Sequence, residues 1–184
     1  MIAAFIDFQE TLGGSGVDDI STFDFYPFSI KAIKKLNDNG ILVLGITNQS
    51  RIARGHLSLS DYEIKLSQLK NQLAVYHAYF DAVYCCPHQR SDECSCKKPR
   101  TGMIESAQKE FDINIHDSYV IGDMGMNDIV LARNIGAKAI LVLTGVGKSS
   151  LNEYRHSWQN VEPDYVAENV LEAAEYIISA SHIK

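Results

Sequence analysis

No apolar run in this 184-residue chain approaches the roughly 18 residues needed to span a bilayer. Positive charge is also short: 17 Lys and Arg stand against 23 Asp and Glu, a net charge of −6. That balance argues against broad electrostatic capture of nucleic acid or an anionic membrane, although a local pocket can still take a small anion. The N-terminus lacks the basic region, long apolar core and cleavage site of an export signal, because Asp7 interrupts the short apolar stretch Met1 to Ile6. A cytoplasmic protein is therefore expected, as a monomer or small homo-oligomer. Internal repeats, low-complexity tracts and linkers are missing as well. What is present is ordinary for one globular domain over residues 1–184: 46% hydrophobic and 22% charged residues.

Apolar runs bounded by turn signals alternate with helical patterns. Strands are expected at Ile2–Ile6, Ile41–Ile46, Ala82–Cys85, Tyr119–Ile121 and Ala139–Leu143. Helices are expected at Ser29–Leu36, stopped by Asn39-Gly40, at Asp61–Tyr79, capped by Ser60 with Glu63, and at Met103–Phe111. Two more are expected at Asp128–Asn134, ended by Gly136, and at Ala167–Ser179. Such alternation on short connections implies an α/β fold, a doubly wound parallel sheet with both faces covered. Ligands of these sheets bind beyond the C-terminal strand ends.

Chemistry-bearing residues fall at those ends. Asp7-Phe8-Gln9-Glu10-Thr11 follows the first strand and Thr47-Asn48-Gln49-Ser50 the second. Lys98 comes after the cysteine segment, and Gly122-Asp123 follows the fourth strand, with Asp128 five residues further on. A carboxylate, hydroxyl and amide donors, a lysine and a second acidic cluster meeting at one sheet edge suit phosphoryl transfer. The carboxylate attacks phosphorus, Mg²⁺ bridges it to the phosphate, and the donors neutralise the equatorial oxygens.

On these residues the chain resembles the haloacid dehalogenase superfamily of phosphotransferases. More closely, it resembles the group holding heptose-1,7-bisphosphate phosphatase and the histidinol-phosphate phosphatase domain. The specific pieces are Thr47-Asn48-Gln49-Ser50 continuing into Ile52-Ala53-Arg54-Gly55, Cys86-Pro87-His88 continuing to Cys94-Ser95-Cys96-Lys97-Lys98-Pro99, and Ile121-Gly122-Asp123 with Asp128. The resemblance implies a Rossmann-like core without a large cap, and Asp7 as a nucleophile that forms an aspartyl-phosphate. Thr47 and the amide of Asn48 would hold phosphate oxygens, and Lys98 would balance charge. Mg²⁺ would sit on Asp7, Asp123 and the backbone carbonyl of Gln9, with Asp128 or Asn127 supporting it from the outer shell. Arg54 would lie near the far end of the substrate. Few residues separate Asp7 from Thr47, so the open site should take a small phosphorylated metabolite. The Ile52-Ala53-Arg54-Gly55 stretch looks more like the heptose bisphosphate enzymes, while Arg51 stands where these relatives usually have glycine.

All four cysteines fall in one short segment. Cys86, His88, Cys94 and Cys96 supply three thiols and an imidazole, a set suited to tetrahedral Zn²⁺ with no open position for catalysis. A structural zinc would staple the loop 86–96, whose residues Gln89 to Glu93 are all polar, and would link its order to Lys98 nearby. Free thiols or a disulfide are the competing readings. Cys85 would be a small apolar residue ending the strand.

Gln9 departs from the pattern. Phosphatases of this group carry an Asp there, which protonates the leaving oxygen and then activates water. An amide cannot shuttle a proton, and losing such a group costs about 10²–10⁴-fold in rate. The protein is then a slow phosphatase, or one acting on esters that need little protonation, or one in which Glu10 substitutes, although its position suggests that it points elsewhere. The alternative is a pseudo-phosphatase that binds a metabolite or partner. Gly147-Lys148-Ser149 suggests a nucleotide-binding loop, but position 142 is Val where that motif needs glycine.

Overall fold

The computed structural model describes residues 1–181. Six parallel strands form one sheet: β1 (Ala3–Ile6), β2 (Leu42–Asn48), β3 (Ala82–Cys86), β4 (Tyr119–Gly122), β5 (Lys138–Val142) and β6 (Tyr165–Ala167), in the order β3-β2-β1-β4-β5-β6. The order reverses between β1 and β4. The crevice at their C-terminal ends is therefore the topological switch point where such sheets bind ligands.

β1 is wholly buried, which explains why it reads as a continuous apolar run rather than an alternating one. Ala4 and Ile6 face one core layer, built with α1 (Ser29–Asp38), α3 (Leu59–Val75) and α7 (Val170–Ser181). Ala3 and Phe5 face the other, built with α4 (Gly102–Glu110) and α5 (Val130–Ile135) and closed by Trp158. Short helices α2 (Ser50–Ala53) and α6 (Gly147–Leu151) complete the set.

Several boundaries differ from the sequence expectation. The long helix starts at Leu59 and stops at Val75, short of Tyr79. Its cap is Ser58, whose hydroxyl accepts from the Asp61 N–H at 3.0 Å, rather than Ser60 with Glu63. Position 58 has the extended backbone a capping residue needs, whereas Ser60 already lies inside the helix. The expected tail helix from Ala167 begins at Val170, since Tyr165–Ala167 pairs with β5 as an edge strand. Asp128 does not open an α-helix. It lies in a single π-type turn, Gly125–Ile129, that precedes α5. Turns of this kind accommodate an extra residue and are frequent at functional sites. Here the turn brings Asp128 back under Asp123.

Candidate active site

Asp7 leaves β1 at the switch point, where its N–H donates to the Ile121 carbonyl of β4 at 3.0 Å. Its carboxylate joins those of Asp123 and Asp128 in a cluster whose ligand atoms lie within 4.8 Å of one another, a set that could hold a divalent cation. The Lys98 ammonium, itself buried, donates to Asp7 Oδ1 at 2.6 Å and to Asp128 Oδ1 at 2.7 Å. Asn48 fixes that lysine through its backbone: Oδ1 accepts from the Lys98 N–H at 3.1 Å and Nδ2 donates to the Lys98 carbonyl at 3.4 Å. Thr47 is buried beside them. Its Oγ1 accepts from Gln49 Nε2 at 2.8 Å, which leaves its own hydrogen free for a phosphate oxygen.

Three carboxylates share one buried cation, so the site carries excess negative charge. Burial, followed by the Asp7 and Asp128 charges, pushes the Asp123 carboxyl well above its usual range. Burial also raises Asp128 to about 6, against the opposing pull of Lys98. Burial alone would lower the Lys98 ammonium, but the Asp128 and Asp7 charges outweigh it and hold it above its ordinary value. A divalent cation between Asp7 and Asp123 would relieve this imbalance.

The site also uses residues that carried no sequence signal of their own. Thr11 is fully buried and donates weakly towards Asp7 Oδ2 at 3.4 Å and Asp123 Oδ1 at 3.3 Å. The Val146 N–H donates to Asp123 Oδ2 at 3.0 Å. Gly145 has a φ of +54°, and a Cβ there would lie 2.1 Å from Glu10 Cβ and 2.4 Å from Asp123 Oδ2. That close approach requires glycine. Their signal was only position: a threonine four residues after the nucleophile candidate, and a glycine just after β5.

Asp7, Gln9, Thr47, Asn48, Lys98, Asp123, Asn127 and Asp128 all line one pocket, with Glu10, Gly16 and Met124. Glu10 turns into this pocket rather than away, because its φ of +65° reverses the chain direction there. Gln9 Oε1 accepts from Gln49 Nε2 at 3.1 Å. Arg54 is exposed at the end of α2 and lines neither this pocket nor the basic groove beside it. That groove, about 480 Å³, shares Asn48, Lys98, Met124 and Asn127 with the pocket and adds Arg90, Lys97 and Arg100.

Cys86, His88, Cys94 and Cys96 converge, also within 4.8 Å of one another. Cys86 Sγ lies 3.6 Å from Cys94 Sγ and 3.7 Å from His88 Nδ1, and His88 Nδ1 lies 3.2 Å from Cys96 Sγ. A tetrahedron with metal–sulfur bonds of about 2.3 Å has edges of about 3.8 Å, so the four atoms are spaced to hold zinc. Cys85 takes no part. It packs in the opposite core layer, where burial pushes its thiol up to about 11.

The HAD-hydrolase-like family model matches residues 95–173. The D-glycero-beta-D-manno-heptose-1,7-bisphosphate 7-phosphatase of Haemophilus ducreyi is 35% identical over 78% of this chain and 84% of its own length. The D-glycero-D-manno-heptose-1,7-bisphosphate 7-phosphatase of Thermosynechococcus vestitus is 36% identical over 82% of this chain and 81% of its own. A crystal structure of D,D-heptose 1,7-bisphosphate phosphatase from B. bronchiseptica, complexed with magnesium and phosphate, superposes with a TM-score of 0.88. It is 26% identical, covering 98% of this chain and 99% of that one. Among the described residues, no helix is long and apolar enough to cross a membrane. With its strand order, its carboxylate cluster and these relatives, the chain belongs to the haloacid-dehalogenase-like hydrolases, as a phosphomonoester hydrolase of that family.

Proposed function

We propose that this phosphatase acts with Mg²⁺ on a sugar bisphosphate of the heptose 1,7-bisphosphate type, through an aspartyl-phosphate on Asp7. The observation that carries the substrate class is the groove lined by Arg90, Lys97 and Arg100, which opens directly off the Asp7 pocket. A monophosphate needs only the pocket. A second anionic group finds its counter-charge in the groove.

In this reading Asp7 attacks phosphorus and the P–O ester bond breaks, the sugar oxygen taking its proton from solvent because Gln9 has none to give. Thr47, the Asn48 amide and Lys98 take up charge on the equatorial oxygens; water then hydrolyses the aspartyl-phosphate and frees Asp7. Asp123 and the Gln9 carbonyl join Asp7 in holding Mg²⁺, which lowers the repulsion between nucleophile and phosphate. Asp128, paired with Lys98, and Asn127 support the arrangement from outside. Arg54 reaches substrate only if the far end of the sugar extends past α2. Cys86, His88, Cys94 and Cys96 hold a structural zinc.

The test is phosphate release from heptose 1,7-bisphosphate with Mg²⁺, wild type beside Gln9→Asp. The variant should gain about a hundred-fold in kcat, the lower end of the range for a positioned acid–base group. The full range is not expected, because the shorter carboxylate gives up hydrogen bonds that the amide makes. No phosphate release from either protein would leave a binding role and remove the enzymatic one.

Mg²⁺ must displace the protons that Asp123 and Asp128 hold at low pH. With Asp128 raised to about 6 and Asp123 raised as well, the native metal-free site binds extra protons above the ordinary carboxylate range near 4. Stability from those protons is full below that range and is lost as pH rises through about 6. Mg²⁺ should therefore raise the melting temperature more at pH 7.5 than at pH 5.5. Equal shifts at the two values would contradict a metal site on these carboxylates.

A further inference from the structure

The segment Ser15–Asp18 borders the catalytic pocket through Gly16. Among the described residues, no backbone–backbone hydrogen bond ties residues 15–18 to the rest of the chain. Val17 at its tip is 81% exposed, so burial does not hold it either. Its carbonyls are held by two side chains from elsewhere. Gln9 Nε2 donates to the Asp18 carbonyl at 3.0 Å and, more weakly, to that of Ser15 at 3.4 Å, while the Arg51 guanidinium donates to the Val17 carbonyl. Gln9 is in turn bonded through Gln49 to Thr47. The segment is thus linked to the phosphate-facing side of the pocket.

Both fasteners are positions where the chain departs from what its resemblance implies, Gln for Asp at 9 and Arg for Gly at 51. The two departures have one structural consequence. A carboxylate at position 9 has no N–H to give, and its oxygens would face the Ser15 and Asp18 carbonyls; glycine at position 51 reaches nothing. We propose that Gln9 and Arg51 are positioning residues for specificity: together they fasten Ser15–Asp18 as a strap walling the catalytic pocket, which confines the site to compact phosphate esters. The pocket behind the strap measures about 160 Å³, enough for a phosphate and a few neighbouring atoms. The strap lies on the side of Gln9 and Glu10, which the basic groove does not share. Releasing it enlarges the pocket without touching the groove.

This inference rests on the phosphatase reading, so its test has one arm that needs no activity. Endoproteinase Asp-N cleaves before Asp18, and nicking of the native protein at Val17–Asp18, followed by mass spectrometry, reads how often the strap opens. Arg51→Met and Gln9→Met each remove donors at nearly constant size; the first should speed the nick roughly ten-fold, the scale of one hydrogen bond to a charged group, and the second about five-fold, the scale of a neutral amide bond. Arg51→Lys retains a donor and should stay near wild type. In the second arm, Arg51→Met should raise the ratio of kcat/KM for 1-naphthyl phosphate over glycerol phosphate by about ten-fold. The change should lie in KM, with kcat held within about two-fold, as expected when binding alone is altered. Unchanged nicking in both methionine variants would overturn the fastening. Faster nicking with an unchanged ratio would overturn the role in specificity. If wild type releases phosphate from heptose 1,7-bisphosphate but from neither ester, the specificity role falls and the phosphatase reading stands; release from none of the three removes both, and the nicking rates still decide the fastening.

Discussion

Asp7→Asn is expected to cut phosphate release by about 10⁴-fold or more, the scale seen when a covalent nucleophile is removed. The amide matches the carboxylate in shape but has neither the charge nor the lone-pair basicity to attack phosphorus. Fold should survive. Lys98 loses one partner at 2.6 Å and keeps Asp128 at 2.7 Å, so the buried ammonium is never left unpaired. The melting temperature of the variant therefore separates loss of chemistry from loss of structure. Acid-quenched protein offers a second readout. Because Gln9 cannot activate water, the proposed aspartyl-phosphate should break down slowly in the wild type and accumulate during turnover. Mass spectrometry should find one phosphate on the peptide carrying Asp7 in wild type, less in Gln9→Asp and none in Asp7→Asn. An Asp7→Asn protein retaining more than about 1% of wild-type kcat would remove Asp7 from the nucleophile's role.

The parts of the molecule that could be read from sequence are those whose signal is local. β1 shows itself because a strand buried on both faces needs an unbroken apolar run, and Asp7 stands out as the charge ending it. The clustering of Cys86, His88, Cys94 and Cys96 is written in their spacing, since three cysteines and a histidine within one loop are brought together by its turn. β6 is illegible in the sequence because three residues at a sheet edge carry no periodicity. The cap of α3 lies two residues before the expected one because Ser58 and Ser60 offer the same hydroxyl, and only backbone geometry separates them. Glu10 lines the pocket against the sequence expectation because alternation along an extended chain fails at a positive φ. Thr11, Gly145 and the N–H of Val146 act through tertiary proximity to Asp123, which no window along the chain reveals. Arg54 illustrates the opposite limit: a motif match gives a residue's place in the chain but not its reach, and here the side chain stands outside both cavities.

Zinc removal is expected to abolish most activity although none of Cys86, His88, Cys94 and Cys96 lines the pocket. Gln89 to Glu93 bury no apolar side chain, so the tip of the loop rests on a short 3₁₀ turn, the Asp92 carboxylate on the Gln89 N–H at 3.0 Å, and the proposed metal. Its flanks are tied by the Ala53 N–H to the Pro87 carbonyl at 3.1 Å, the Gly102 N–H to the Ser95 carbonyl at 3.0 Å and Arg100 to the Cys94 carbonyl. Its far end runs from Cys96 directly into Lys97 and Lys98. Lys97 crosses back to the His88 carbonyl at 3.4 Å and to Ser50 at the start of α2, while Lys98 carries the ammonium between Asp7 and Asp128. Releasing the loop therefore loosens the cation that balances the nucleophile. Misplacing one preorganised charge of this kind costs about 10²–10³-fold in kcat. Cys96→Ala should show that loss, together with less than one zinc per chain and a lower melting temperature. Cys85→Ala, whose thiol lies in the opposite core layer, should keep both zinc and rate. EDTA strips both metals, so the order of addition discriminates between them. Mg²⁺ alone should leave the stripped enzyme impaired, and Zn²⁺ followed by Mg²⁺ should restore it. Full recovery on Mg²⁺ alone would mean that the four-ligand cluster has no part in holding Lys98.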